Sequence, residues 1–185
     1  MGCASSSADT SSVPAQPLLP HSQYYYTRVV FLDVDGVLHS SSGISQQRTF
    51  LPECMANLRL IIHGELADVG IVISSSWRST QWQLDEVAEK LGAHDVNALV
   101  DATAVSGFGG SRSDEILGWL EEHPRIRSWV VLDDMDLSVP HGARFTSQVV
   151  RTDMATGLTG ADAECALAIL RRSVDDYLPR ARRGR

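Results

Sequence analysis

Cysteine, lysine and long apolar runs are scarce in this sequence, and each scarcity excludes something. The three cysteines, Cys3, Cys54 and Cys165, are odd in number and lack metal-ligand spacing, so we exclude a disulfide framework and expect a reducing compartment. No two of the six histidines have the spacing of a zinc-binding pair. No stretch resembles a secretory signal or a membrane-spanning helix, and we therefore expect a cytoplasmic protein.

Positive charge is scarce in the main part of the chain. The net charge is −7, although residues 171–185 hold six of the sixteen basic residues. An acidic body argues against broad nucleic-acid binding, which requires a basic surface. The one lysine, Lys90, is interpreted as a solvated charge on a helix. The basic tail, 179–185, is a candidate contact for an anionic membrane surface or for RNA.

The spacing of apolar residues predicts alternating strands and helices in one domain. A chain of 185 residues, 43% of them hydrophobic, is long enough to bury a core. Such alternation is typical of a three-layer α/β fold with a central, mainly parallel sheet. Around this domain, 27–178, we expect a disordered N-terminal tether, 1–26, and the basic tail. The predicted strands are 28–33, 69–74, 97–101, 127–132 and 145–150, and the predicted helices are 53–67, 79–91, 113–122 and 161–171, the last capped by Thr159.

Two carboxylates follow the first predicted strand. Asp33 and Asp35 come after an apolar run, and side chains two residues apart lie on the same side of a strand. The carboxyl edge of a parallel sheet is where ligands bind in such folds. The two carboxylates could therefore converge on one metal ion, and a carboxylate attacks phosphorus when a cation neutralises the phosphate. Gly36 then allows a sharp turn.

Polar side chains also follow two further predicted strands. Ser74, Ser75 and Ser76 come after the second strand, where they could bind a phosphoryl group or cap a helix. Asp133 and Asp134 follow the strand that ends at 132. This third buried strand therefore also ends in acidic residues.

Arg112 is the candidate cation of the site. It begins an amphipathic helix, where its charge opposes the helix dipole, so we expect it to have an anionic partner elsewhere. Its planar guanidinium can bind two oxygens at once, which a lysine cannot do. The alternative interpretation is an exposed arginine at a helix start.

The motifs resemble those of the haloacid dehalogenase (HAD) superfamily of aspartate-nucleophile phosphohydrolases. The resemblance rests on the signature from Asp33 to Leu38 and on the order of four motifs up to Asp134. The chain is also similar, over roughly residues 28–171, to HAD domains of the Swiss-army-knife RNA-repair group. That likeness rests on the segments 74–78, 115–120, 131–134 and 157–159. It implies a Rossmann-like HAD fold and metal-phosphate chemistry, and it says little about the substrate.

The resemblance implies roles in catalysis and phosphate binding. Asp33 would be the nucleophile, and Asp35 would be the general acid and base. Ser75, with Ser74 as the alternative, would bind a phosphoryl oxygen. Arg112 would bridge the nucleophile and the phosphate, at a position where the family more often has lysine.

The resemblance also implies a cofactor, Mg²⁺. Its protein ligands would be Asp33, Asp133, Asp134 and the backbone carbonyl of Asp35. HAD enzymes often carry a cap domain, but each segment between the motifs has room for only one helix, so we expect a capless, open site. Such a site suits a phosphorylated nucleic-acid end or a phosphoprotein loop, unless a partner chain closes it.

The expected function is therefore a Mg²⁺-dependent phosphatase with a phospho-aspartyl intermediate. The alternative is a catalytically weak HAD-fold binding module that is tethered to a membrane or to RNA. Near the motifs, His39 is interpreted as a loop histidine and Trp82 as a packing residue. Trp77 is left open between packing and stacking on a base.

The N-terminus carries a separate signal for lipid attachment. Gly2 fits the acceptor position for N-myristoylation, and the adjacent Cys3 is a candidate for palmitoylation. Two acyl chains anchor a protein stably, whereas one does so only marginally. A lipidated form of the protein would associate with membranes.

Overall fold

The protein folds around a five-stranded sheet in which every strand is parallel to its neighbours. The computed structural model describes residues 26–40, 49–105, 110–137 and 141–172. The strands are β1 (Arg28–Leu32), β2 (Val69–Ile73), β3 (Leu99–Ala102), β4 (Ser128–Asp133) and β5 (Val149–Arg151). The helices are α1 (Pro52–His63), α2 (Gln81–Gly92), α3 (Arg112–Glu122), α4 (Gly142–Thr146) and α5 (Gly160–Leu170), and a 3-10 turn (Ser76–Arg78) follows β2.

Strand β1 lies in the middle of the sheet. The strand order is β3-β2-β1-β4-β5, and β1 pairs along its whole length with β2 on one side and with β4 on the other. Its last residue, Leu32, is level with Ile73 of β2 and with Leu132 of β4. The carboxyl ends of these three strands therefore meet at one edge. The predicted α/β fold with a central parallel sheet is confirmed.

Alternating side chains of the strands pack into two apolar clusters, one on each face of the sheet. On one face, Val30 and Leu32 pack with residues of α1, α2 and α5. On the other face, Val29 and Phe31 pack with residues of α3 and α4. Trp119 of α3 meets the Phe31 ring edge-on, with 5.4 Å between the ring centres. The helices thus form the two outer layers of a three-layer structure.

Side-chain caps determine where two of the helices begin. Ser111 and Asp114 form a reciprocal capping box at the start of α3, and Thr159 and Asp162 form another at the start of α5. A good N-cap stabilises a helix by about 1 kcal/mol. The predicted cap at Thr159 is confirmed, and the cap at Ser111 fixes the position of the next residue, Arg112.

The predicted strand at 145–150 is wrong in its first half. The structure has the short helix α4 there, and β5 begins only at Val149. Phe145 is 3% exposed, and its ring centre lies 5.5 Å from that of Trp129. The helix places this aromatic ring in the core, and the strand-like pattern of apolar residues in the sequence did not predict this arrangement.

Helix α1 ends earlier than predicted, at His63 rather than at 67. Gly64 leaves the helical conformation with a ψ of −131°, and a Cβ at this position would overlap the Leu60 carbonyl oxygen. Residues 65–68 then connect the end of α1 to the start of β2. Leu66 still packs against the core, which explains why the apolar pattern continued past the helix.

Two further side chains have surroundings that differ from those predicted from the sequence. Trp82 is 58% exposed and so does not act as a packing residue. Lys90 is not a freely solvated charge, since its Nζ pairs with Glu86 at 2.8 Å and lies 5.2 Å from the centre of a Trp77 ring. The lysine ammonium thus lies over the aromatic rings of Trp77 and Phe50.

Some sequence-based predictions lie outside the described residues. These are the lipidation sites Gly2 and Cys3, most of the N-terminal tether and the basic tail. Within the described ranges, none of the helices combines the length and the apolar character needed to cross a membrane.

Candidate active site

Three polar side chains continue β1, β2 and β4 at the same level. Asp33 N donates to Leu132 O at 3.0 Å, and Ser74 N donates to Leu32 O at 3.0 Å, so the strand register continues through Asp33, Ser74 and Asp133. Because side chains alternate along a strand, all three lie on the face of the sheet that α3 covers. All three are buried. The sheet itself therefore aligns the first, second and fourth motifs.

Arg112 reaches this row from the first turn of α3. Its Nη1 donates to Asp33 Oδ2 at 2.8 Å and also to Asp133 Oδ2. Burial alone would lower the pKa of Arg112, but the two carboxylates outweigh burial and raise it above its ordinary value. The anionic partners expected for a cation at this helix start are thus two aspartates on neighbouring strands.

A cluster of three carboxylates surrounds the end of β1. Oxygens of Asp33, Asp133 and Asp134 all lie within 4.8 Å of one another. Burial, followed by the charge of Asp33, raises the pKa of Asp133 to about 6, even though Arg112 opposes the shift. The cluster is short of positive charge, and its donors are the hard oxygen ligands that Mg²⁺ prefers. The residues present therefore fit a divalent cation.

The turn after Asp33 packs directly against Asp134. Gly36 has a φ of +72°, and a Cβ on this residue would overlap the Asp134 carboxylate. The Gly36 carbonyl accepts a hydrogen bond from Thr152 Oγ1 at 2.8 Å. Burial, then the charge of Asp33, raises the pKa of Asp134. Only glycine allows the first and fourth motifs to approach this closely.

Asp35 lies on the solvent side of the cluster, and its side chain is 43% exposed. Trp77 Nε1 donates to Asp35 Oδ2 at 3.0 Å, and His39 Nε2 lies 2.9 Å from Asp35 Oδ1. The Asp35 carboxylate raises the pKa of His39 above its ordinary value, against the opposing effect of burial. Both oxygens of Asp35 are therefore in contact with a ring nitrogen.

The two serine candidates have different surroundings. Ser75 Oγ accepts a hydrogen bond from Trp77 N at 3.4 Å and caps the 3-10 turn. Ser74 Oγ is buried, has no hydrogen-bond partner among the described residues, and belongs to the row of Asp33 and Asp133. Ser74, the alternative from the sequence, is thus at the level of these two carboxylates, whereas the hydroxyl of Ser75, the first choice, is engaged in the 3-10 turn. Ser75 serves locally as a cap, as the other interpretation of this motif expected.

Comparison with known proteins identifies the family of the chain. Residues 29–163 match the family model described as the HAD domain in Swiss Army Knife RNA repair proteins. The chain belongs to this HAD family. A comparison with curated proteins and one with solved structures found no match.

Membership supports a HAD-type phosphatase as the general class of this protein. The described residues between Asp35 and Arg112 form α1, β2, the 3-10 turn, α2 and β3, and none of these ranges contains a cap domain. The capless, Rossmann-like arrangement expected from the sequence agrees with this description.

One residue of this HAD domain that sequence reasoning missed is Arg78. Its guanidinium donates to the carbonyls of Thr103 and Ser74 at 3.0 and 2.8 Å, to that of Ser75, and to Glu115 Oε2. Burial lowers the pKa of Arg78, although Glu115 opposes the shift. This arginine ties the end of β2 to α3, and so holds the second motif against the third.

Sequence reasoning also missed the contacts of His39 and Trp77 with Asp35. The signal available in the sequence was weak: a histidine four residues after Asp35, and a tryptophan three residues after Ser74. Neither spacing predicts a contact, because both depend on how the loops after β1 and β2 fold over the edge of the sheet.

Proposed function

We propose that this protein is a Mg²⁺-dependent phosphatase that uses Asp33 as a nucleophile. The observation that carries the proposal is the placement of Arg112 between Asp33 and Asp133, beside Asp134, at the carboxyl edge of the sheet. Phosphoryl transfer depends mainly on positioning and on stabilising charge, and this edge concentrates both a carboxylate nucleophile and cation-binding groups.

In the first step, an Asp33 oxygen attacks phosphorus in line with the leaving oxygen. The new bond joins Asp33 to phosphorus, the ester P–O bond breaks, and Asp35 gives its proton to the leaving oxygen. Arg112 stabilises the charge on the transferring group. In the second step, Asp35 takes a proton from water, the water oxygen attacks phosphorus, and the bond to Asp33 breaks to release phosphate.

Asp33, Asp133, Asp134 and the Asp35 carbonyl would hold the Mg²⁺ ion. When bound, the ion neutralises and orients the phosphoryl oxygens. Ser74 is the hydroxyl that we assign to a phosphoryl oxygen, since Ser75 is used as a cap. A single neutral donor that stabilises an anionic transition state typically raises the rate by about 10²- to 10³-fold.

The first test measures Mg²⁺-dependent release of phosphate from 4-nitrophenyl phosphate. Asp33→Asn should abolish turnover, and Asp85→Asn is the matched control because Asp85 is an exposed carboxylate of α2. Removal of the metal with a chelator should stop the wild type, and added Mg²⁺ should restore it. Acid-quenched wild type should carry one phosphoryl group on Asp33 by mass spectrometry. Turnover that survives Asp33→Asn would refute the nucleophile assignment.

For the substrate, we propose the phosphorylated end of an RNA. The support is the family description, which refers to RNA repair proteins, and the absence of a cap domain among the described elements. Oligonucleotides with a 3′- or a 5′-phosphate should be turned over with a higher kcat/KM than a phosphopeptide of similar charge. The reverse order would favour a phosphoprotein, and binding of RNA without turnover would favour the catalytically weak binding module.

Membrane association is a separate proposal, which rests on Gly2, Cys3 and the basic tail in the sequence. A myristate analogue fed to cells that express the protein should label the wild type and not Gly2→Ala. Loss of Cys3 should then reduce the membrane-bound fraction, because one acyl chain anchors only marginally. Equal membrane-bound fractions of wild type and Gly2→Ala would refute the proposal.

A further inference from the structure

We propose that His39 and Trp77 are positioning residues that hold the Asp35 carboxylate in the orientation it needs as the acid and base. The inference rests on the proposed function, because Asp35 needs a fixed orientation only if it exchanges a proton with the substrate. The two ring nitrogens meet different oxygens of Asp35. Trp77 Nε1 donates a hydrogen bond at 3.0 Å, whereas His39 Nε2 makes an ion-pair contact at 2.9 Å and forms no hydrogen bond among the described residues. Neither residue was assigned a role in the site from the sequence, although Trp77 lies within the second motif.

The need for such a support follows from the exposure of Asp35. Its side chain is 43% exposed, unlike that of Asp33, which is 6% exposed and held by Arg112. An exposed carboxylate rotates among several staggered conformations unless other groups restrain it. Contacts to both oxygens restrain the rotation of the carboxylate about its last bond as well as its direction, and each oxygen keeps a lone pair for the substrate.

Trp77 is itself held firmly enough to act as a support. It is 3% exposed, and its ring packs against Phe50 at 6.3 Å and against His39 at 6.0 Å between ring centres. Lys90 Nζ lies 5.2 Å from its ring centre on the outside. The indole N–H therefore has a fixed direction, set by packing that does not involve Asp35.

His39 is held at its other ring nitrogen. Nδ1 lies 3.2 Å from the Ser40 carbonyl oxygen, and the Gly36 amide donates to the His39 carbonyl at 2.9 Å. The loop from Asp33 to His39 thus closes on itself and places the imidazole beside Asp35. Packing fixes Trp77 and backbone contacts fix the loop of His39, and the two rings also pack against each other.

The test uses two esters that differ in their need for an acid. Phenoxide is a poor leaving group and requires protonation, whereas 4-nitrophenoxide leaves readily without it. We expect Trp77→Phe and His39→Ala to lower kcat/KM for phenyl phosphate by about 10- to 100-fold, the range typical of a misplaced catalytic group. The loss for 4-nitrophenyl phosphate should be much smaller. His39→Gln retains a donor near the position of Nε2 and should recover part of the loss.

Matched controls separate positioning from packing. Trp82→Phe and His63→Ala make the same chemical changes at exposed sites and should leave both kcat/KM values at the wild-type level. If Trp77→Phe or His39→Ala lowers kcat/KM equally for both esters, the residues only stabilise the structure of the site, and the inference is overturned. The ratio of the two kcat/KM values is thus the deciding quantity.

A second readout does not require activity. The indole N–H resonance of Trp77, assigned by its loss in Trp77→Phe, should move upfield in Asp35→Ala because a hydrogen bond to a carboxylate is removed. The indole resonance of Trp82 should not move. An unchanged Trp77 resonance overturns the inference. If the wild type turns over neither ester, the proposed function fails, and this resonance alone then decides whether Trp77 holds the Asp35 carboxylate.

Discussion

Replacing Gly157 by alanine should destabilise the protein by about 2–5 kcal/mol, from two causes that the structure separates. Gly157 has a φ of +69°, and an L-residue in this left-handed conformation costs about 1–2 kcal/mol. A Cβ there would also lie 2.7 Å from both Cys54 Sγ and the Val37 carbonyl oxygen. Forcing extra atoms into a packed interior costs about 1–3 kcal/mol more.

Two other glycines provide the controls. Gly142 also has a φ of +69°, but a Cβ there would have no neighbour within 4 Å, so Gly142→Ala should show only the conformational cost of about 1–2 kcal/mol. Gly118 lies in α3, also with open space around it, and Gly118→Ala should stabilise the protein by about 0.5–1 kcal/mol.

The assay is reversible unfolding in urea of the full chain, followed by thermal melting. Gly157→Ala should lower Tm by roughly 10 °C, because 1 kcal/mol corresponds to about 2–4 °C in a chain of this size. Gly142→Ala should lower it by less than half as much. If Gly157→Ala and Gly142→Ala have the same free energy of unfolding, the close approach of Gly157 to Val37 does not exist in solution.

Three further predictions concern charge and accessibility. Arg78→Met should lower the free energy of unfolding in urea by about 3–5 kcal/mol, because it leaves the buried Glu115 carboxylate without its cation. A variant that also carries Glu115→Gln should recover part of the loss, and an unchanged free energy in Arg78→Met would contradict the buried ion pair. Arg112→Met should lower kcat/KM for 4-nitrophenyl phosphate by about 10²- to 10³-fold with Arg112→Lys in between, and full activity of Arg112→Met would contradict its role in charge stabilisation. Iodoacetamide should modify Cys165 in the native protein and spare Cys54, which is buried and whose thiol pKa is raised by burial; equal labelling in peptide mass spectra would contradict the packing of α1.

The central part of the fold followed from the sequence because its strands are continuous apolar runs. β1, β2 and β4 are each buried on both faces, and such runs leave little doubt about where a strand lies. β5 is short and lies at the edge of the sheet, so its pattern is weak, and the preceding residues form a helix that buries Phe145. The prediction failed where tertiary packing, rather than local pattern, selects the conformation.

The residues of the candidate site also fall into those that the sequence predicts and those that depend on tertiary packing. Residues at the carboxyl ends of strands, such as Asp33 and Asp133, come together because the strands are parallel and in register. Alternation alone shows which of Ser74 and Ser75 shares the face of Asp33, once the register of β2 against β1 is known. The contacts of His39 and Trp77 with Asp35 could not be predicted, because they depend on how two loops fold over the sheet edge and pack against each other.

The central position of β1 has a consequence for the synthesis of the chain. The ribosome makes the strand that carries Asp33 first, but its pairing partners on the two sides arrive about forty and about one hundred residues later. Parallel pairing over such separations is slow, since a long loop must close before any contact forms. Until β4 has left the ribosome, Arg112 lacks its second aspartate and the acidic cluster is incomplete. Fragments that end before Asp133 should therefore expose an apolar strand without a working site, which makes them substrates for quality control rather than partly active enzymes.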